Sequence, residues 1–251
     1  MANLNKHNLL SFNCFSVKNK LPIIKNMCDS NDIVFLQETW LMPHELGLLD
    51  NIHKDFNAHS ISSVDVHSAV HVGRPHGGLS ILWRKDMDSV CNIVNFDDHR
   101  ILGIMLTRHN FKFLLINVYL PFYSDDNYPE YLMYLGKIAH IVDTSDVHGL
   151  LVCGDFNADI NKEFYTELYN MCCEKDLTIC DVDMLPADTY THVNNGNLCR
   201  SWLDHCVASS SIRDAIDSIH VDYNYCGSDH LPIKISFNME LPKLDYIQDA
   251  P

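Results

Sequence analysis

Basic side chains are scarce in this 251-residue chain: 18 Lys and Arg stand against 33 Asp and Glu, a formal net charge of −15. That balance excludes a uniformly basic coat of the kind that holds nucleic acid by charge alone. The deficit is uneven. Residues 1–112 hold 11 basic and 11 acidic side chains, residues 113–251 hold 7 and 22, so a local basic face drawn from the first half stays open. No Pro/Gly-rich linker, fixed-period repeat or low-complexity tract divides the chain, which excludes solenoids and favours one compact domain. The longest apolar run, Phe113 to Phe122, is broken by Asn117, and nothing there spans a membrane. Met1–Phe12 places Asn3, Asn5, Lys6, His7 and Asn8 where a secretory signal needs an apolar stretch. The ten cysteines include no C-x-x-C pair, and several sit in apolar runs such as Leu151-Val152-Cys153. They read as reduced, mostly core thiols of an intracellular protein and not as a disulfide scaffold.

What the chain does contain is an alternation of short β-rich runs and helical stretches. Asn8–Asn13, Ile33–Gln37, Leu79–Trp83, Ile101–Thr107, Lys112–Leu120, Gly149–Cys153, Ile216–Val221 and Leu231–Phe237 read as strands. Lys20–Ser30 and Tyr128–Asp143 read as helices with Pro22 and Pro129 near their first turns, and Asn161–Lys175 as a third. In the second, apolar residues recur at 132, 135, 138, 141 and 142. Thr189–Val193 and Leu198–Ala208 flank Asn194-Asn195-Gly196-Asn197, a strong hairpin signal. The expected fold is α/β: a four-layered sandwich of two packed, mostly antiparallel sheets flanked by helices. A parallel dinucleotide-binding sheet is the competitor, but Ser11–Ser16 has no glycine where that fold needs G-x-G-x-x-G.

Polar residues close or interrupt the apolar strands at five places: Asn13, Gln37-Glu38-Thr39, Asn117-Val118-Tyr119, Gly154-Asp155-Phe156-Asn157, and Asp204-His205 with Ser228-Asp229-His230. Any one alone is better explained as a structural loop cap, and a lone histidine as a satisfied interior one. Five placed alike, where loops carry function, point to a site. Their chemistry is consistent. Glu38 and Asp229 are hard oxygen donors suited to Mg²⁺, with Asn13 a neutral oxygen beside them. Asp155 and Asn157 alternate by two, so an extended backbone would put both on one side with a water between them. His230 with Asp204 forms an acid/base or charge-stabilising pair. Together they suit metal-assisted phosphoester hydrolysis.

These motifs, with Leu36–Thr39, Asn117–Pro121, Ser201–His205 and Ser228–Pro232, stand in the order of the endonuclease/exonuclease/phosphatase superfamily. More narrowly, the chain resembles the apurinic-endonuclease-like domain of non-LTR (LINE-type) retrotransposons. Gly77–Ile81, the Asn-x-Tyr-x-Pro strand and the Leu-Asp-His box support that likeness, which covers about residues 8–238. The resemblance implies Glu38 as principal Mg²⁺ ligand (Mn²⁺ an acceptable substitute) with Asn13 beside it and Asp229 adjoining the metal. It implies Tyr119 on the scissile phosphate, Asp155 with its helper Asn157 on the attacking water, and Asp204 orienting His230. Whether His230 is base or charge stabiliser stays open.

The same resemblance implies Thr191 and Ser201 on the DNA backbone. Ser228 is a further expected DNA contact, as are Arg74, drawn from the candidate basic face, and Asn195 of the hairpin. Arg84, Lys85, Arg100, Arg108 and Lys112 complete the candidate basic face. Phe15 and Phe122 replace an aspartate and an asparagine common in apurinic endonucleases, which opposes abasic repair and is compatible with a nickase. The expected activity is nicking of double-stranded target DNA to leave a 3′-hydroxyl that primes reverse transcription. The reverse transcriptase would be a downstream domain of the same polyprotein, the place of action the nucleus, and the excised domain a monomer. Residues 1–238 would form that domain and 239–251 a flexible tail. The alternatives are a superfamily relative acting on a phosphoinositide, sphingomyelin or RNA, and a catalytically dead DNA-binding module.

Overall fold

In the computed structural model the described residues are 6–64, 75–108, 110–194, 196–225 and 227–238. The expectations for Arg74, Asn195 and the 239–251 tail lie outside them. Two six-stranded sheets pack face to face. The first runs β13 (Ile216–Val221), β14 (Ile233–Asn238), β1 (Lys6–Asn13), β2 (Ile33–Gln37), β4 (Leu79–Arg84) and β3 (Phe56–Ile61). The second runs β5 (Cys91–Val94), β6 (Ile101–Arg108), β7 (Phe111–Tyr119), β8 (Gly149–Asp155), β12 (Asp204–Ser209) and β9 (Leu177–Ile179). Each sheet is antiparallel except for one central parallel pair, β1 with β2 and β7 with β8. A parallel pair needs a crossover. Helix α1 (Leu21–Ser30) makes the first, and α2 (Tyr128–Thr144) the second.

Side-chain alternation sorts the layers. From β1 and β2, Leu9, Ile33 and Phe35 face the inter-sheet core with Leu115, Leu151 and Cys153. Their neighbours Leu10, Val34 and Leu36 face outward onto Ile24, Met27 and Cys28 of α1. On the far side Leu114, Ile116, Leu150 and Val152 meet α2 and α3 (Glu163–Glu174). The order is helix, sheet, sheet, helix, the expected four layers. Because β2 and β8 are central and covered on both faces, all their residues are buried, which is why they read as unbroken apolar runs.

The strands overlooked in the sequence are β3, β5 and β9, three of the four sheet edges. They are short or half-exposed, so no apolar run announces them. The buried stripe of α2 is Tyr131, Tyr134, Leu135 and Ile138, and Leu132 points outward. Two tyrosines carry the stripe and shift its phase. The Leu198–Ala208 run is not one strand. Arg200–Ser201 (β11) pairs with His192–Val193 (β10) in a small separate hairpin, and the chain re-enters the second sheet only at Asp204. Seven of the nine described cysteines are buried and all nine are free thiols. Among the described residues no helix is long and apolar enough to cross a membrane.

Candidate active site at one end of the sheets

The parallel pairs bring every polar strand end to the same edge. The registers Asn13↔Gln37, Gln37↔Leu79, Tyr119↔Asp155 and Asp155↔Asp204 align them across both sheets. Beneath them the sheets are joined by polar side chains. Gln37 Nε2 donates to Asn117 Oδ1 at 2.7 Å, and Asn117 Nδ2 donates to the carbonyls of Leu36 and Ser80 at 3.0 Å each. Both residues are fully buried, so they form the floor of the site and do not face substrate. Among the described residues Gln37 Oε1 finds no partner, but the remaining amide bonds fix one relative setting of the sheets.

Local backbone then aims the carboxylates. Glu38 follows β2 with φ 51°, a left-handed conformation that costs a non-glycine residue energy. It is held because Thr39 and Trp40 donate to the carbonyls of Gly78 and Gly77. Gly78 has φ 86°, and a Cβ there would press on the Thr39 hydroxyl. The Gly154–Asn157 turn is similar. Gly154 has φ 150°, a Cβ would overlap the Val118 carbonyl, and only glycine fits.

The extended Asp155–Asn157 geometry expected from the sequence is not found. Asn157 has φ 52°, its backbone N–H donates to Asp155 Oδ1 at 2.9 Å, and its Nδ2 donates to the Leu120 carbonyl at 2.9 Å. The chain folds back because the Asp155 carboxylate captures that amide in a tight Asx turn.

Six of the expected residues converge. Tyr119 donates its hydroxyl to Glu38 Oε1 at 2.7 Å, and Trp40 Nε1 donates to Glu38 Oε2 at 2.9 Å. Asn13 Nδ2 lies 2.9 Å from Asp155 Oδ2 and 3.4 Å from Glu38 Oε1. His230 Nδ1 is 2.8 Å from Asp204 Oδ2, and its Nε2 is 3.7 Å from Asp155 Oδ2. Burial pushes the Asp155 carboxyl up to about 7, with His230 pulling the other way. Burial lowers the His230 imidazolium, but Asp204 and Asp155 outweigh it and lift it to about 10. Burial, reinforced by Glu38 and Asp155, drives the Tyr119 hydroxyl far upward, so it remains a donor.

Asp155, Asp204 and His230 offer ligand atoms within 4.8 Å of one another, a group that could hold a metal ion. Both nitrogens of His230 already face carboxylates, however, and an imidazolium has no lone pair to give. The carboxylates of Glu38 and Asp155, drawn together around one Asn13 amide nitrogen, fit a hard dication better. Asn13 itself departs from expectation. Its nitrogen faces the carboxylates, while its Oδ1 accepts the Phe15 N–H at 3.2 Å, because the surrounding acceptors call for a donor. Asp229 stands to one side, half-buried, with Ser228 Oγ at 3.2 Å and His192 Nε2 at 3.9 Å. Among the described residues it makes no hydrogen bond to Glu38 or Asp155.

The expected DNA contacts separate. Thr191 is fully buried, and its Oγ1 accepts the backbone amides of Leu203 and Asp204 at 3.0 Å each. It positions Asp204 and is not available to DNA. The Ser228 hydroxyl donates to the Asn13 carbonyl at 3.0 Å, tying the His230 loop to β1. Ser201 remains half-exposed on the hairpin. The candidate basic face is also corrected. Arg84 pairs with Asp86 and with Asp32, Lys112 with Asp146, and Arg84, Lys85, Arg108 and Lys112 lie at the strand ends remote from the site. Of its described members only Arg100 is near, above the Tyr119 ring and paired with Glu130.

Two groups were not assigned to a site from the sequence. His192 bridges to His230 with ring centroids 4.8 Å apart. Asp181 and His205 form a second, sealed pair. Asp181 Oδ2 takes His205 Nδ1 at 2.8 Å and Trp202 Nε1 at 2.8 Å, its Oδ1 takes the Cys206 amide at 2.7 Å, and His205 Nε2 donates to the Ala158 carbonyl at 2.8 Å.

The sequence profile described as Endonuclease/Exonuclease/phosphatase family matches residues 10–230. No curated protein sequence matches the chain. Among solved structures, an AP endonuclease from Leishmania major, LMAP, aligns with TM-score 0.77 at 12% identity, covering 95% of this chain and 89% of its own. The 3′ phosphatase NExo from Neisseria, bound to product DNA hairpin, aligns with TM-score 0.70 at 18% identity, covering 92% and 99%. The endonuclease domain of TRAS1, a telomere-specific non-LTR retrotransposon, aligns with TM-score 0.68 at 15% identity, covering 94% and 100%. At these identities the likeness is one of fold.

Proposed function

Since the chain belongs to the Endonuclease/Exonuclease/phosphatase family, we propose that it is a Mg²⁺-dependent DNA endonuclease that nicks one strand and leaves a 3′-hydroxyl. The observation that carries this reading is the buried Asp204–His230–Asp155 series ending beside Glu38, Asn13 and Tyr119. Asp204 accepts a hydrogen bond from Nδ1–H and orients the ring, which leaves Nε2 on the side of Asp155. Asp155, fixed by Asn13 and the Asn157 amide, receives the attacking water and its proton. Held charged between two carboxylates, His230 neutralises the negative charge that grows on phosphorus. Tyr119 donates towards the same place. Water oxygen bonds to phosphorus as its proton passes to Asp155, the bond from phosphorus to O3′ breaks, and the departing O3′ takes a proton from solvent to become the hydroxyl. Bound by Glu38 and Asp155, Mg²⁺ would neutralise phosphate charge and lower the pKa of a water.

The TRAS1 likeness supports a retrotransposon role, in which the hydroxyl primes a reverse transcriptase of the same polyprotein in the nucleus. The test is conversion of supercoiled plasmid to open circle with Mg²⁺ and with EDTA, for wild type beside Asp155→Ala and His230→Ala. Metal-dependent nicking lost in both variants supports the reading, and nicking retained by His230→Ala overturns the assignment. The acidic charge favours a second reading, hydrolysis of another phosphoester. Phosphoinositide, sphingomyelin, RNA and 3′-phosphorylated DNA assayed in parallel would reveal it as turnover without plasmid nicking.

A further inference from the structure

Three cations stand at the site end of the sheets without a carboxylate. Among the described residues, Lys20, Lys162 and Arg200 have no acidic oxygen within 4.0 Å. Each belongs to a connection that carries a site residue: Lys20 follows Asn13, Lys162 follows Asp155, and Arg200 precedes Asp204. Each also lies over an aromatic ring. Lys20 Nζ is 6.0 Å from the centroid of Phe15, Lys162 Nζ is 5.6 Å from that of Tyr123, and the Arg200 guanidinium is 4.3 Å from that of Tyr190. Phe15 and Tyr123 are 37% and 41% exposed. Beside Tyr190 stands Tyr223, 49% exposed with its ring 5.0 Å away. Arg200 and these two tyrosines line a pocket of about 400 Å³.

We propose that this rim binds an unpaired DNA strand, phosphates on the three cations and bases stacked on the rings beside them. The site would then act on a single-stranded or locally melted segment in preference to intact duplex. This deepens the DNA phosphodiesterase reading above and rests on it. Charge decides between the two forms of DNA. A duplex carries one charge per about 1.7 Å, and proteins that hold it through charge typically use about 6–10 phosphate contacts. Among the described residues only these three cations at the site end are free of ion pairs, in a chain of net charge −15, fewer than that mode uses. Stacking supplies affinity without charge and tolerates any base, which is how strand-binding surfaces combine aromatic and cationic groups. Intact duplex hides its base faces and could use only the cations.

The test is fluorescence anisotropy of the whole chain with a short labelled oligonucleotide. It is offered single-stranded, as a duplex, and as a duplex with a central bubble, with Ca²⁺ in place of Mg²⁺ to limit cleavage. Single strand and bubble should bind more tightly than duplex. The logarithmic salt slope for single strand should be about −2, three phosphates at about −0.7 each, and Arg200→Ala should remove about 0.7 of it. Tyr123→Ala should weaken binding by about fivefold to a hundredfold with the slope unchanged. Duplex bound as tightly as single strand, or a Tyr123→Ala variant that binds like wild type, would overturn the proposal. With Mg²⁺, equal cleavage of duplex and single strand removes this inference alone. Failure to cleave any DNA removes the parent reading.

Discussion

Two histidine–aspartate pairs, each closed at 2.8 Å, flank neighbouring positions of one strand, and they do opposite things. Asp204 and His205 are consecutive in β12, so their side chains leave the sheet on opposite faces. Asp204 reaches His230 at the open end between the sheets. His205 reaches Asp181 on the sealed side, where both side chains are fully buried. The difference lies in the second ring nitrogen. In His205 it donates to a backbone carbonyl at 2.8 Å, and the ring has nothing left to offer. In His230 it faces Asp155 at 3.7 Å, too long for a saturated bond. The same pair of residue types is a fastener when every hydrogen bond is filled and, on the proposed reading, a reactive group when one remains open.

That contrast can be broken by substitution. His230→Ala should lower the rate of phosphodiester cleavage by about 10²–10⁴, the usual worth of a positioned acid/base group, and the fold should survive. His205→Ala should do the reverse. Removing one partner of a buried pair leaves an uncompensated charge on Asp181, at a cost of about 3–5 kcal/mol, while residual folded protein keeps its pH–rate profile. Chemical denaturation beside plasmid nicking reads both. If His205→Ala abolished cleavage at unchanged stability, the division between fastener and reagent would fail.

A smaller effect sharpens it through pH. Burial lowers the His205 imidazolium, yet Asp181 outweighs that and the net shift is upward. A group whose pKa is raised on folding contributes stability that is complete below its unfolded value, about 6.5. That stability is lost as pH rises through the folded value. Stability measured in EDTA should therefore fall on the alkaline side. The His205→Phe variant should lose part of that slope, and an unaltered slope would exclude His205 as its source.

The smallest expected effect is none at all. Arg84→Glu lies at the far end of β4 from the site and should leave the salt dependence of DNA binding within error, whereas Arg200→Glu should reduce it. A change in the Arg84 variant would restore the basic face that the fold has dispersed.

Most of the layer structure was legible in the sequence, because central strands covered on both sides must be apolar throughout and amphipathic helices must carry a stripe. The edges β3, β5 and β9 were not, since an edge is half in water and its pattern is weak. At the site, Glu38, Tyr119, Asp155, Asp204 and His230 were visible as polar residues ending apolar runs. Thr191 was visible too, but its role was not. Its hydroxyl is turned inward to two amides by the packing of the hairpin on β12, which no local pattern encodes. The Asp181–His205 pair spans 24 residues, and nothing in either neighbourhood announces the other.

By itself, the order of residues determined where strands end, which ends are polar, and that three carboxylates and a histidine would be available for phosphoester chemistry. These are properties of short segments, set by periodicity and side-chain type. Only the tertiary structure decided which histidine keeps an unsaturated nitrogen, which way Asn13 turns its amide, and which cations remain without carboxylates. Each of those depends on partners supplied from distant segments, because a polar group's behaviour is set by what fills its remaining hydrogen bonds and how far water is excluded.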